Sequence, residues 1–496
     1  MIAASLIATL ATPSGGDEPF RALPRSARWM EVRARQAGNP GADWLRGRFN
    51  GELIHSAGHD DPSSDDDRHR GMIAAVAEYD MIDLDADRDL VPELLQHIPP
   101  EKRIISWRGA ASSLRHLHEI FQRSSSIPAA LYRLVADPRS INDVIAPLRL
   151  LKSLGRKDVT AYASGRSGAW SRLMAPHFGA AVVSGGVGEE DCEPGELTIA
   201  RLVEDYDLPW LYPFDEIYGI VGNAVLRSLS PRLHNGAYRH LGKRSLYLPI
   251  HVEEFSDFHR AMGAGGSFES LGVRFAGGTI SSPHKEAALV IASGSSALAR
   301  RSGAVNNLVH RDGFWWGDTT DAAGALVPLG KLGLPINAQR ILVVGCGGAG
   351  RTMAAALKRA GADVTLMNRS VERGEYASRL LGLPLMGLND ADIRNFSVVV
   401  NATPVGRDSD DAPFSLHRLG TNSAVIDLVY GSGPTALMRS ARSRGMTVID
   451  GRDVLRAQVY EQFRLLTGTR LPAEVMDSVL GPEMEMEGPL LAVSGA

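Results

Sequence analysis

The chain has 496 residues, 44% of them hydrophobic and 22% charged, with a formal net charge of -4. That length exceeds a single hydrophobic core and implies two or three domains of ordinary soluble composition. The weak net charge argues against general nucleic-acid or membrane binding. Cys192 and Cys346 lie too far apart for a metal spacing or a disulfide framework and fit a reducing, cytoplasmic setting.

Residues 1–11 are apolar but lack a basic leader and are too short to span a bilayer; they read as a first buried strand, followed by a turn at 11–16. No later apolar run is long enough for a membrane helix. Short apolar runs follow at 29–32, 81–84, 103–107, 130–135, 159–163 and 180–183, separated by helix-period stretches such as 114–121 and 142–154. The polar stretch 59–70 reads as a solvated loop. Repeated strand–helix units imply parallel strands, and without a glycine-rich phosphate loop they suit a closed (β/α)8 TIM-type barrel.

Prolines near 207–215 mark a boundary, after which the alternation restarts at 217–221. A second boundary near 330–337 precedes the apolar strand 340–344. It runs into Gly345, Gly347, Gly348 and Gly350, then a small-residue helix and a second strand at 364–367. Glycines there allow a tight turn and close approach of a pyrophosphate to a helix N-terminus, the pattern of a Rossmann dinucleotide site. An NAD site usually places Asp or Glu after the second strand. This chain has Asn368 and Arg369, with Arg373 one turn on, which suits the 2′-phosphate of NADP.

From about residue 214 to the end, GIVGNAVLRSLSPRLHN (219–235), SSPHKEAAL (281–289), GAVNN (303–307), GDTTDAAG (317–324), NATPVG (401–406), DLVYGSGPT (427–435) and VLRAQVYEQF (454–463) follow in an order that resembles the shikimate dehydrogenase family. GIVGNAVLRSLSPRLHN (219–235) carries Ser228 and Ser230, which the resemblance assigns to the substrate carboxylate. SSPHKEAAL (281–289) supplies Ser281 and the catalytic Lys285, GAVNN (303–307) supplies Asn306, and GDTTDAAG (317–324) supplies Asp321. NATPVG (401–406) resembles a cofactor loop with Asn401 and Thr403. Tyr430, Gln458 and Gln462 fall at substrate positions, and Val429 and Gly451 at cofactor positions. The residue types suit the chemistry. An ammonium near a ketone oxygen stabilises the charge that hydride addition creates, and Asp321 would balance and orient it. The resemblance implies an NADP-dependent oxidoreductase interconverting 3-dehydroshikimate and shikimate, acting as a monomer or weak dimer on a small-molecule substrate, with no metal.

Several positions depart from the family: Arg227 replaces His, Asn307 replaces Thr, Thr319 replaces Asn and Arg407 replaces Met, while Thr279 and Ser281 are conservative. A related substrate such as quinate therefore stays open, as does a non-catalytic binding protein.

WMEVRA (29–34), YDMIDLDAD (79–87), WSRLMAPHFGAAVVSG (170–185) and EPGEL (193–197) make the first half resemble a type I 3-dehydroquinate dehydratase barrel, as in fused chains of this pathway. Glu31 and Arg33 in WMEVRA (29–34) match its first substrate strand, and Arg172 in the late strand region matches a carboxylate-binding arginine. The family's Schiff-base lysine aligns with Arg133, and its acid–base histidine with Arg108. Ala57 stands for a substrate arginine and Glu196 for a loop glutamine. A guanidinium, with a pKa above about 12, stays protonated and forms no imine. The barrel is thus expected to be inactive. Arg33, Arg108, Arg133 and Arg172 would either bind an anion or pair with Glu31 and other local acids; a bifunctional dehydratase/dehydrogenase is the rival reading. The expected layout is a barrel over 1–213, a substrate-binding domain over 214–335 completed by 453–496, and a Rossmann domain over 336–452.

Overall fold

In the computed structural model the described residues are 2–11, 17–33, 41–111, 113–262, 266–388, 392–431 and 433–482. Residues 12–16 of the expected turn, together with Ala34, Ser432 and 483–496, lie outside them. The chain divides into two compact units, 1–275 and 276–496. Among the described residues no helix is long and apolar enough to cross a membrane.

The first unit opens with eight parallel strands: β1 (Ser5–Leu10), β2 (Ala27–Arg33), β3 (Glu52–Ser56), β4 (Met81–Asp85), β5 (Arg103–Gly109), β6 (Leu131–Ala136), β7 (Val159–Ala163) and β8 (Val182–Gly186). They pair in the order β7-β6-β5-β4-β3-β2-β1-β8. Thr160 on β7 closes the ring by exchanging hydrogen bonds with the backbone of Val182 on β8, at 2.8 and 3.0 Å. This is the expected barrel. The helices α1 (Asp65–Ala75), α2 (Leu114–Ser125), α3 (Ile141–Leu154), α4 (Gly165–Met174) and α5 (Ile199–Tyr206) follow β3, β5, β6, β7 and β8 in the chain.

Strand alternation sorts the barrel interior into layers. Ile7, Ile54, Met81, Ile104, Leu131 and Val182 form an apolar layer. Two residues further along their strands stand Ser56, Asp83, Ser106 and Arg133, joined by Glu31, so the next layer is ionic.

Two expectations change here. β3 did not stand out as a strand, because its apolar run is short and interrupted by His55. Residues 59–70 are not all loop: α1 begins at Asp65, with the Ser64 side chain accepting from Asp67 N–H as N-cap. Arg68 is 4% exposed and forks onto the buried Asp89 at 2.9 and 2.8 Å, so part of this polar stretch faces inward.

Beyond the barrel, still in the first unit, β9 (Glu216–Gly222) pairs in parallel with β10 (Ser245–His251), and α6 (Ser230–His240) lies between them in sequence.

In the second unit, residues 277–279 of β11 (Arg274–Ile280) pair with the antiparallel β13 (Asn307–Arg311). β13 pairs with β14 (Phe314–Asp318), and β14 with the short β12 (Gly294–Ser295). Helix α7 (Lys285–Ile291) follows β11. The remaining sheet comprises β15 (Arg340–Val344), β16 (Asp363–Met367), β17 (Leu385–Met386), β18 (Val398–Asn401), β19 (Ala424–Asp427) and β20 (Thr447–Ile449). Its parallel order, β17-β16-β15-β18-β19-β20, is that of a doubly wound dinucleotide fold. Alternate residues of one strand enter opposite cores: Ile341 and Val343 face one, Leu342 and Val344 the other. Helices α8 (Gly348–Arg359), α9 (Val371–Leu381) and α10 (Gly451–Thr467) complete the elements that carry site residues.

Candidate active site

Lys285 begins α7, and its Nζ lies 2.5 Å from Asp321 Oδ2. Asp321 does not cap the following helix, which starts at Ala323 with Ala322 as N-cap. Its other oxygen, Oδ1, accepts from Asn306 Nδ2 at 2.8 Å and from Gln458 Nε2, on α10, at 3.2 Å. Asn306 is itself fixed, its Oδ1 accepting from Thr320 N–H at 2.8 Å and from Asn307 Nδ2 at 2.6 Å. Asn306 and Gln458, 152 residues apart in sequence, therefore converge on one ammonium–carboxylate pair. The Lys285 side chain is 16% exposed and that of Asp321 5%, so the pair is sheltered but reachable. Gln462 is buried one turn beyond Gln458 on α10 and accepts from Thr279 Oγ1 at 3.4 Å. Ser281 and Tyr430 are half-buried.

The glycine loop lies against this lysine: a Cβ on Gly348 would sit 2.9 Å from Lys285 Cδ. Gly345 has φ +101, a conformation that side chains resist, and a Cβ on Gly350 would sit 1.9 Å from the Gly345 carbonyl oxygen. Around Gly347 the space is open. The loop thus offers a helix N-terminus and room beside it, which fits a dinucleotide pyrophosphate. β15 and β18 flank the point where the strand order reverses, where α/β sheets bind ligands.

The other cofactor candidates surround the same strand ends. Asn368 accepts from Cys346 N–H at 3.0 Å, tying the end of β16 to the loop. Arg369 and Arg373 are exposed. Asn401 is fully buried: it donates to Asp427 at 2.8 Å and accepts from the backbone and hydroxyl of Thr403, so it shapes this loop from within. Val429 N–H donates to Asp427 at 3.1 Å, and a Cβ on Gly451 would sit 2.4 Å from the Val429 carbonyl oxygen.

In the first unit Ser228 is buried in the turn before α6 and Ser230 is buried as the first residue of α6, where its N–H donates to Ser228 Oγ at 3.1 Å.

Parts of the chain match known families. Residues 220–308 match the shikimate dehydrogenase substrate binding domain, and residues 341–429 match ketopantoate reductase PanE/ApbA. The shikimate dehydrogenase (NADP(+)) of Xylella fastidiosa is 35% identical over 286 residues, covering 55% of this chain and 98% of that protein. The chain belongs to the shikimate dehydrogenase family. The Halorubrum lacusprofundi shikimate dehydrogenase (NADP(+)) is 38% identical over 280 residues, covering 54% of this chain and all of that protein. Residues 54–209 match type I 3-dehydroquinase. A chloroplastic bifunctional 3-dehydroquinate dehydratase/shikimate dehydrogenase of Arabidopsis thaliana is 27% identical over 440 residues, or 83% of this chain and 71% of that one.

Against the shikimate dehydrogenase pattern, two of the departures are internal braces. Asn307 is buried and donates to Asn306 and to Thr320 Oγ1 (3.1 Å), while Thr319 reaches Thr352 Oγ1 on α8 at 3.4 Å. Arg227 and Arg407 are exposed.

The barrel interior brings Glu31, Arg33, Arg108, Arg133 and Arg172 together, and acids answer each guanidinium. Arg133 contacts Glu31 at 2.5 Å and Asp83 at 2.8 Å, and donates to Ser106 at 2.9 Å. Arg108 pairs with Glu193 at 2.5 Å, Arg172 with Glu196 at 2.5 Å, and Arg33 with Glu31 and Glu193 at 3.3 and 2.8 Å. Local pairing, not an unmet anion site, is therefore what the fold builds. Burial raises the Glu31 carboxyl, but Arg133 and Arg33 outweigh it and hold it below its ordinary value; burial and the Glu31 charge push Asp83 up. Arg172 comes from helix α4 rather than from a strand. Lys102 and Lys152 donate to backbone carbonyls outside this layer, of Val76, Tyr79 and Leu271. The partners Asp83 and Glu193 were missed. Asp83 could have been found from its strand face, shared with Met81 and Asp85, and Glu193 from its place at the head of the EPGEL loop that carries Glu196.

Proposed function

We propose that this chain is an NADP-dependent shikimate dehydrogenase that reversibly reduces 3-dehydroshikimate to shikimate, and that its barrel performs no dehydration. The observation that carries the first part is the Lys285–Asp321 pair, braced by Asn306 and Gln458 and set against the glycine loop. NADPH, when bound, supplies the hydride for the ring ketone. The Lys285 ammonium stabilises the negative charge developing on the ketone oxygen and gives it a proton. Asp321 holds that ammonium in place through a charge-assisted bond, and Asn306 and Gln458 fix the carboxylate so that it does not swing away. In the serine turn, the hydroxyls of Ser228 and Ser230 receive the substrate carboxylate. Arg369 and Arg373 take the 2′-phosphate of the cofactor.

The test is a spectrophotometric assay of the whole chain with shikimate, offering NADP and NAD separately. Rapid NADP reduction, weak NAD reduction and a loss of at least about 10²-fold on Lys285→Ala are expected. Preference for quinate or NAD would move the substrate assignment while keeping the mechanism. Binding of shikimate and NADP without any turnover would make the chain a binding protein.

For the barrel, Schiff-base chemistry needs a neutral amine, and the matching position holds a guanidinium in two ion pairs. Borohydride added with 3-dehydroquinate is expected to trap no adduct by mass spectrometry; a trapped adduct overturns the assignment.

A further inference from the structure

The last barrel helix, α5, touches the serine turn directly. Arg201 Nη1 donates to the carbonyl of Leu226, and Nη2 donates to the carbonyl of Ser228 at 3.3 Å. These are backbone groups of the turn that presents Ser228 and Ser230.

The guanidinium is aimed by a buried acid. Asp205, one turn along α5 and 1% exposed, accepts from Arg201 Nε at 3.0 Å and Nη2 at 2.7 Å through Oδ2. Its Oδ1 accepts from Arg232 Nε, on α6, at 2.6 Å. Its main-chain carbonyl accepts from Asn235 Nδ2 at 3.0 Å, and Asn235 Oδ1 accepts from Tyr247 N–H on β10 at 2.7 Å. Arg232 also meets Glu204 at 2.5 Å. Burying a carboxylate is costly unless charged donors surround it. Here both charged partners reach it from elements that frame the turn, so the arrangement locks α5, the turn and α6 together. A planar five-donor guanidinium suits this task, since it can hold an acid and two carbonyls at once.

We propose that Arg201, oriented by Asp205, is a positioning residue for substrate: the barrel serves the dehydrogenase by holding the serine turn in the shape that receives a carboxylate. This rests on the reading that Ser228 and Ser230 bind the substrate carboxylate. It gives the barrel a role that needs no dehydratase chemistry.

The experiment compares the full-length chain with Arg201→Ala, Arg201→Lys and Lys152→Ala. Lys152→Ala removes a different barrel contact, to the carbonyl of Leu271. Arg201→Ala is expected to raise KM for shikimate about tenfold, with kcat and KM for NADP within about twofold. Arg201→Lys should recover only part, and Lys152→Ala should leave all three constants unchanged. Hydrogen exchange of a peptide covering residues 222–230 should rise in Arg201→Ala by about tenfold or more, without a similar rise across the barrel strands. An unchanged KM in an active Arg201→Ala enzyme overturns the proposal, as does an equal rise in Lys152→Ala. A wild-type chain that never turns over shikimate defeats the dehydrogenase reading instead, and the exchange measurement then decides on Arg201 alone: unchanged exchange in the turn overturns it.

Discussion

Arg133 on β6 meets Glu31 on β2 across the barrel at 2.5 Å, 102 residues away in sequence. Both side chains are nearly inaccessible, and Asp83 takes the other arm of the guanidinium. A buried charge network of this kind is a poor source of net stability, yet removing Arg133 strips Asp83 of its charged partner and leaves Glu31 with Arg33 alone. Arg133→Met is therefore expected to destabilise the barrel's unfolding transition by about 3–5 kcal/mol in urea. Arg133→Met combined with Glu31→Gln and Asp83→Asn should regain much of that. A single variant as stable as wild type would show that the network is not structural.

Acid sensitivity follows from Glu193. Burial raises this carboxyl, but Arg33 and Arg108 outweigh it and hold it at about 2, against an ordinary value of 4.5. Because the folded value lies below the unfolded one, the stabilisation is complete above about pH 4.5 and is lost as pH falls towards 2. Thermal unfolding followed across that window should show a shallower loss for Glu193→Gln than for wild type. Equal slopes would mean that the carboxylate is not held down by its arginines.

Cofactor choice depends on two exposed guanidiniums at the end of β16. Replacing Arg369 and Arg373 together with Ala should raise KM for NADP about ten- to a hundredfold, as expected for losing charge-assisted bonds to a phosphate. KM for NAD, which has no phosphate there, should barely move. A parallel loss with both cofactors would place these arginines elsewhere in binding.

Much of this architecture was legible in the sequence because its signals are local. Strand runs such as 81–84 and 159–163 alternate with helix-period segments, and a parallel barrel follows from that alternation. The glycines at 345–350 announce themselves by spacing, since only a tight turn onto a helix demands them. Lys285, Asp321, Asn306 and Gln458 were each identifiable by resemblance to one family. Only the tertiary structure decided which partner each charge takes. Glu193 lies 160 residues after Arg33 yet pairs with it, and Arg68 turns inward from a stretch whose composition reads as loop, because Asp89 waits beneath it. A backbone preference acts over a few residues and leaves its mark in the order of amino acids. The neutralisation of a buried charge depends on which distant segments the fold brings within about 3 Å, and that distance is set only when the barrel closes.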